Sequence, residues 1–149
     1  RGVRGSRPHR RKMGSPEQVI VLDTQCWIWL AKGSNKLSKR AKSAAVRAAK
    51  NRNGRISAFS IWEAAWLHRK QKIQISDPVD VWLGTLIQDT WVEVEPLSER
   101  ICLAAARLPL DFPSDPGDRL ITATAKVLAC PLVTSDERIR AAKVVETIW

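Results

Sequence analysis

Short apolar runs alternate with longer stretches of helical periodicity along most of the chain. Val19-Ile20-Val21-Leu22 is continuous, apolar and mostly β-branched, as expected of a strand buried on both faces. An apolar helical stretch follows through Leu30. Residues 36–52 predict a basic, Ala-rich amphipathic helix with Leu37, Ala41, Ala45 and Ala48 on one stripe. A second strand is expected over 55–59, then a helix to about Lys70 with Ser60 as its N-cap and Glu63 closing a capping box. Asp77-Pro78 predicts another helix start, Asp as cap and Pro in the first position, ending near Gln88.

The second half repeats the alternation. A strand is expected over 91–95 and a helix over 99–107. A Pro-rich loop spans 108–117, and 118–129 carries a strong amphipathic pattern through Leu120, Ile121, Ala125, Leu128 and Ala129. A buried strand over 131–134, a short helix opened by Ser135-Asp136 and running to Ala142, and a last strand over 144–149 complete the reading. Strands separated by helices predict a three-layer α/β/α sandwich around a mainly parallel sheet.

Composition narrows the class. At 149 residues the chain fits a single domain. No apolar run approaches the roughly 20 residues that span a bilayer, and no apolar stretch follows the charged N-terminus, so neither membrane span nor secretory signal is expected. Cys26, Cys102 and Cys130 are scattered and lack metal-ligand spacing, which fits buried thiols in a reducing cytoplasm. The net charge of +10 is uneven: residues 1–12 hold six Arg and Lys and no acid, leaving +4 for the rest. Residues 1–16 are therefore expected to be a basic tail that resembles tag-derived or upstream-translated sequence, with Met13 as a native start, and 17–149 the folded domain. Seven tryptophans invite base stacking, yet most sit in apolar patterns that read as core; Trp27 and Trp62 lie nearest the candidate chemistry.

That chemistry is carried by acids. Ligands of an open parallel sheet bind beyond the carboxyl ends of its strands. Asp23 follows the first strand and Asp136 the strand at 131–134. Glu63 lies early in the helix after the second strand, and Asp118 begins the helix that feeds back to the sheet. The topology brings all four to one rim. Four crowded carboxylates repel, and a divalent cation relieves the repulsion. Oxygen-only ligands suit Mg²⁺ or Mn²⁺, and two such ions can clamp a phosphodiester and activate water. Each acid has a second reading as a helix cap or capping-box partner. Asp115 is a further candidate, with an alternative as a turn or helix start. Thr24, Thr122, Thr134 and Ser135 flank the acids, Thr134 being the best placed to orient one. Arg119 is expected either to contact a substrate phosphate or, preferentially, to pair with an acid. His68, five residues after Glu63, is expected to face elsewhere.

The segments Val21-Leu22-Asp23-Thr24, Ser60-Ile61-Trp62-Glu63, Asp115 to Ala125 and Leu132-Val133-Thr134-Ser135-Asp136 resemble PIN domains. Their order and spacing are similar to VapC-type toxins of bacterial toxin–antitoxin pairs, and Val145 to Trp149 resembles that subgroup's last strand. The resemblance covers roughly residues 18–149. It implies four or five parallel strands between helices, and Mg²⁺- or Mn²⁺-dependent cleavage of RNA, commonly tRNA or rRNA. It implies that Asp23, Glu63, Asp118 and Asp136 are the catalytic acids. Asp23 and Asp118 would be the most direct metal ligands, with Asp136 and Glu63 completing the cluster. It also implies a homodimer and a cognate antitoxin whose C-terminal segment enters the active-site groove.

Other classes fit less well. A phosphoacceptor receiver domain usually pairs two acids after its first strand, but Leu22 precedes Asp23. A haloacid-dehalogenase-type phosphatase needs Asp-x-Asp, and Gln25 occupies the third position. A non-catalytic RNA- or partner-binding domain of the same fold is the main alternative.

Overall fold

The computed structural model describes residues 18–149; the expected basic tail lies outside the described residues. Five strands form one parallel sheet in the order β3-β2-β1-β4-β5. They are β1 (Ile20–Leu22), β2 (Gly54–Ser57), β3 (Glu93–Glu95), β4 (Leu132–Val133) and β5 (Thr147–Ile148). The helices between them are α1 (Thr24–Lys32), α2 (Lys39–Asn51), α3 (Ala58–Arg69), α4 (Val79–Thr90), α5 (Glu99–Ala106), α6 (Pro116–Val127) and α7 (Glu137–Ala142). Every expected strand and helix is present, and the sheet is parallel throughout.

The continuous apolar run places β1 at the centre. Val21 pairs with Arg55 on one side and Leu132 on the other. Ile20 and Leu22 point to one face, where they pack with Trp27, Ile28, Ile56 and Trp82. Val21 points to the other and packs with Leu132, Ile121, Phe112 and Ile139. A strand feeding two cores cannot carry polar residues inside the sheet, so its first polar side chain, Asp23, falls at the carboxyl end. The β3 edge is wetter, and Arg55 ties it down through Glu93 (3.3 Å) and Glu95 (3.5 Å). No helix among the described residues is long and apolar enough to cross a membrane.

Several boundaries differ from expectation, each for a local reason. Helix α3 starts a turn early because Ser57, not Ser60, is its N-cap; the Ser57 hydroxyl accepts from the Phe59 amide. Glu63 is thereby outside the first turn and closes no capping box. Pro78, with no side-chain cap, replaces Asp77 before α4. Helix α6 starts at Pro116 with Asp115 as its N-cap, so Asp118 lies inside the first turn and does not cap it. Trp91 leaves the expected strand to end α4 in a left-handed conformation (φ 53°).

Candidate active site

The carboxyl rim of the sheet collects the acids. Asp23 ends β1: its amide donates to Val133 O (3.0 Å), extending the β1–β4 pairing, while its carboxylate accepts from the Cys26 amide (2.8 Å). It caps α1 and faces the site at the same time. Asp136 follows β4 and caps α7, accepting from the Arg138 amide at 2.9 Å. The Thr134 hydroxyl, fully buried, accepts from the Asp136 amide (3.1 Å) and also supports Asp23. One threonine thus steadies the acids of two adjacent strands.

Glu63 reaches the rim from the second turn of α3. The Thr24 hydroxyl donates to its carboxylate and shares a 2.8 Å hydrogen bond with the Ser60 hydroxyl. Thr24 and Ser60 are both buried. The Thr24→Val variant should keep the fold and lose about 10- to 100-fold in any activity that depends on Glu63, the size of effect typical of removing a group that orients a site carboxylate. Comparing kcat for Thr24→Val and Thr24→Ser checks this; equal activity of Thr24→Val and wild type would remove Thr24 from the site.

Asp118 comes from the first turn of α6, where Asp115 accepts its amide (3.1 Å). Gly117 lets this helix start lie against α3: a Cβ there would sit 2.5 Å from Phe59 Cε1. Arg138 bridges two of the acids, with Nη2 3.4 Å from Asp118 Oδ2 and 3.0 Å from Asp136 Oδ2.

These acids sense one another. Burial raises the Asp118 carboxyl to about 6, helped by the charges of Asp115 and Asp136. Burial also raises Glu63, opposed by its bond from Thr24 and assisted by Asp115 and Asp23. Asp23 is raised by burial against the bonds from Thr134 and Cys26. Asp136 alone is lowered, because Arg138 donates to it. The rim is an under-neutralised anionic cluster that draws in a guanidinium. Oxygen donors and unrelieved negative charge fit a hard divalent cation. Among the described residues, however, no three His, Cys, Asp or Glu side chains form a ready ligand group, so Asp23, Asp118 and Asp136 do not make a closed cage. Mg²⁺ commonly takes one or two carboxylates and keeps its waters, which this open arrangement allows.

Other candidates lie elsewhere. The Arg119 guanidinium neither faces the rim nor pairs with an acid. It donates to the carbonyls of Ala105, Leu108, Pro109, Phe112 and Pro113, because α6 packs beside the end of α5. Thr122 is fully buried, with its hydroxyl unpartnered among the described residues. Trp27 is core, its Nε1 donating to Thr90 (2.9 Å), whereas Trp62 is exposed. His68 stacks on Trp82, away from the acids. The sequence reading missed Arg138, whose signal is a cation two residues after a capping Asp, and Ser60, whose hydroxyl serves Thr24 rather than a helix cap.

The PIN domain family profile matches residues 20–145. The chain belongs to the PIN domain family. Among curated relatives, Ribonuclease VapC22 of Mycobacterium tuberculosis (strain ATCC 25618 / H37Rv) is 34% identical over 122 residues, 82% of this chain and 90% of the relative. Solved structures share the PIN fold at lower identity. VapBC2 from Rickettsia felis, bound to a promoter DNA fragment, has TM-score 0.64 and 16% identity over 86% of this chain and 96% of its own. DNA-bound VapBC from Salmonella typhimurium gives 0.65 and 15% over 87% and 96%. FitAcB from Neisseria gonorrhoeae gives 0.62 and 18% over 86% and 95%.

Proposed function

We propose that this PIN domain is the endoribonuclease toxin of a toxin–antitoxin pair, cleaving RNA in the cytoplasm with Mg²⁺ or Mn²⁺. The observation that carries the reading is the convergence of Asp23, Glu63, Asp115, Asp118 and Asp136 on one rim, in a chain 34% identical to a ribonuclease. The VapBC neighbours support a cognate antitoxin as partner. The family supports a homodimer and a tRNA or rRNA target.

Asp118 and Asp23 are the residues we assign to hold the metal, with Asp136 joining when Arg138 swings away. When bound, the ion supplies a nucleophilic water at neutral pH and positive charge against the phosphodiester. Glu63, whose carboxylate form is held and oriented by the hydrogen bond that Thr24 donates, is the group we assign to accept a proton from the attacking water. Thr134 holds Asp23 and Asp136 in register with each other. Arg138, held at the rim by Asp118 and Asp136, is the cation we assign to meet a substrate phosphate once displaced from those acids.

Mapping RNA 5′ ends after induction in cells, with and without Asp118→Asn, tests activity and target together. New ends that depend on Asp118 are expected; an unchanged RNA pool would defeat the reading. Metal affinity should also fall as pH drops through about 6, because protonation of Asp118 competes with the ion. A Mn²⁺ titration at pH 5 and pH 7.5 checks this, with at least about tenfold weaker binding at the lower pH expected. No Mn²⁺ binding at either pH, with no cleavage, would favour a non-catalytic RNA- or partner-binding domain.

A further inference from the structure

Helix α2 carries a row of cations that neither the core nor the acids account for. The 39 residues between Asp23 and Glu63 hold nine Lys and Arg and no acid. Nine exceeds the net charge of +4 over residues 13–149, so the rest of that span is net acidic and its positive charge is gathered here. Of the nine, Arg55 pairs with acids among the described residues, through Glu93 and Glu95. The other eight are exposed. On α2 itself Ala41, Ala45 and Ala48 turn to the core, and Lys39, Arg40, Arg47 and Lys50 fall on the opposite side by helical spacing.

Stability does not explain the row. Ser38 caps α2 by accepting from the Ala41 amide (3.0 Å), but the first turn holds Lys39, Arg40 and Lys42 and no acid. Cations there oppose the helix dipole. Lys39 with Lys42, and Arg47 with Lys50, set like charges on neighbouring positions, where a face kept merely for solvation mixes signs.

Composition and position identify the occupant. Val46 is the one exposed apolar side chain of α2, and no aromatic stands on the helix. The face therefore has no ring on which a base could stack and no anchor of the kind that centres a protein interface. Its apolar stripe is buried in the core, so the helix cannot lay that stripe into a membrane. Point charges on a rigid rod fit a rigid array of phosphates, as a paired stem presents. The row also opens toward the acids. Lys36 Nζ lies 6.0 Å from the Trp29 ring, and Trp29 lies 6.3 Å from Trp149. Trp149 follows β5 at the carboxyl rim, where the Thr134 amide donates to Ile148 O (3.3 Å). The far end of α2 meets the opposite edge of the sheet, where Asn53 O accepts from the Ile20 amide (3.0 Å).

We propose that the outer face of α2 binds the phosphates of a paired RNA stem, with Lys36 at the end nearest the acids. The proposal rests on the ribonuclease reading. Arg40 and Arg47, two turns apart on the outer face, are its central contacts. They position the RNA without reading its sequence, because the charges meet backbone and not base edges.

Binding is measured apart from cleavage, by titrating a fluorescein-labelled RNA hairpin with the full chain in EDTA over a range of salt. Arg40→Gln combined with Arg47→Gln is compared with Arg107→Gln combined with Lys126→Gln, which removes the same charge from exposed sites on α5 and α6. The α2 pair should bind about tenfold more weakly at low salt, with a log–log salt slope shallower by about 1 to 2, and the control pair should stay within about twofold of wild type. The α2 pair should melt no lower than wild type, since it relieves like charges. The cations of residues 1–12 are present in every protein, so the difference between the pairs reports α2. Unchanged affinity in the α2 pair, or equal losses in both pairs, overturns the proposal. Polyglutamate of matched charge displacing the hairpin at lower concentration than unlabelled hairpin assigns the face to an acidic protein segment and also overturns it. Failure of the ribonuclease reading looks different: the expected order of binding appears, but Mn²⁺ brings no cleavage.

Discussion

The Asp118→Asn variant should lose at least about 10³-fold in Mn²⁺-dependent RNA cleavage while melting higher than wild type in EDTA. Losing a charged metal ligand removes several kcal/mol of transition-state stabilisation, and each 1.4 kcal/mol is about tenfold. The stability gain has the opposite sign because the folded Asp118 carboxyl is raised from 3.8 to about 6. Folding favours its protonated form, so its contribution is fully present below about pH 4 and is lost as pH rises through about 6. At pH 7 it is a liability that Asn removes. Solvent screening at this partly exposed group leaves about 1 kcal/mol, or ~2–4 °C in melting temperature. Added Mn²⁺ should reverse the order, stabilising wild type and not the variant. Undiminished cleavage, or equal metal stabilisation of both proteins, would take Asp118 out of the site.

Arg119→Ala should cause a large loss of stability without touching the chemistry. Five carbonyls accept from this guanidinium at 3.0–3.4 Å, gathering the end of α5, the following loop and α6. Its plane also lies 5.7 Å over the Phe112 ring. Hydrogen bonds to a charged donor are worth more than neutral ones, and the truncation leaves the carbonyl at the α5 end without its cation. A loss of about 3 kcal/mol is expected, lowering the melting point by ~6–12 °C. Arg119→Lys should recover little, because an ammonium cannot reproduce the planar fork. Cleavage at 20 °C should remain within about threefold of wild type. A melting point unchanged within 2 °C would show that the five contacts are replaced by water at no cost.

The expectations that held depend on short-range pattern or on topology. The β-branched run at Val19–Leu22 could only be a central strand, and that fixed Asp23 at the rim. Asp136 followed in the same way from the apolar run before it. What misled were local choices with two good answers. Ser57 and Ser60 stand three residues apart, either able to cap α3, and the earlier one wins by accepting from Phe59. The error mattered, because it lent Glu63 a capping role that it does not have. Asp115 and Asp118 posed the same ambiguity, settled by Pro116 in the first helical position. Arg119 was illegible for a different reason. Its partners lie 6 to 14 residues back, at the end of α5 and in the loop after it, whose path no periodicity reveals. The exposed tryptophans of α3 were not legible: the apolar pattern around them reads as core, and only packing shows that Trp62 and Trp66 are left open.

The capping geometry of α6 carries an evolutionary consequence. Asp115 serves as both a cap and a source of negative charge, and the cap needs only a side-chain oxygen. Among homologues, Ser, Thr or Asn should therefore recur at position 115 wherever the extra charge is dispensable. Position 118, three residues on and free of any capping duty, has no such substitutes. Drift at the first position and fixity at the second would record, across lineages, which carboxylate is kept for the helix and which for the charge it brings to the rim.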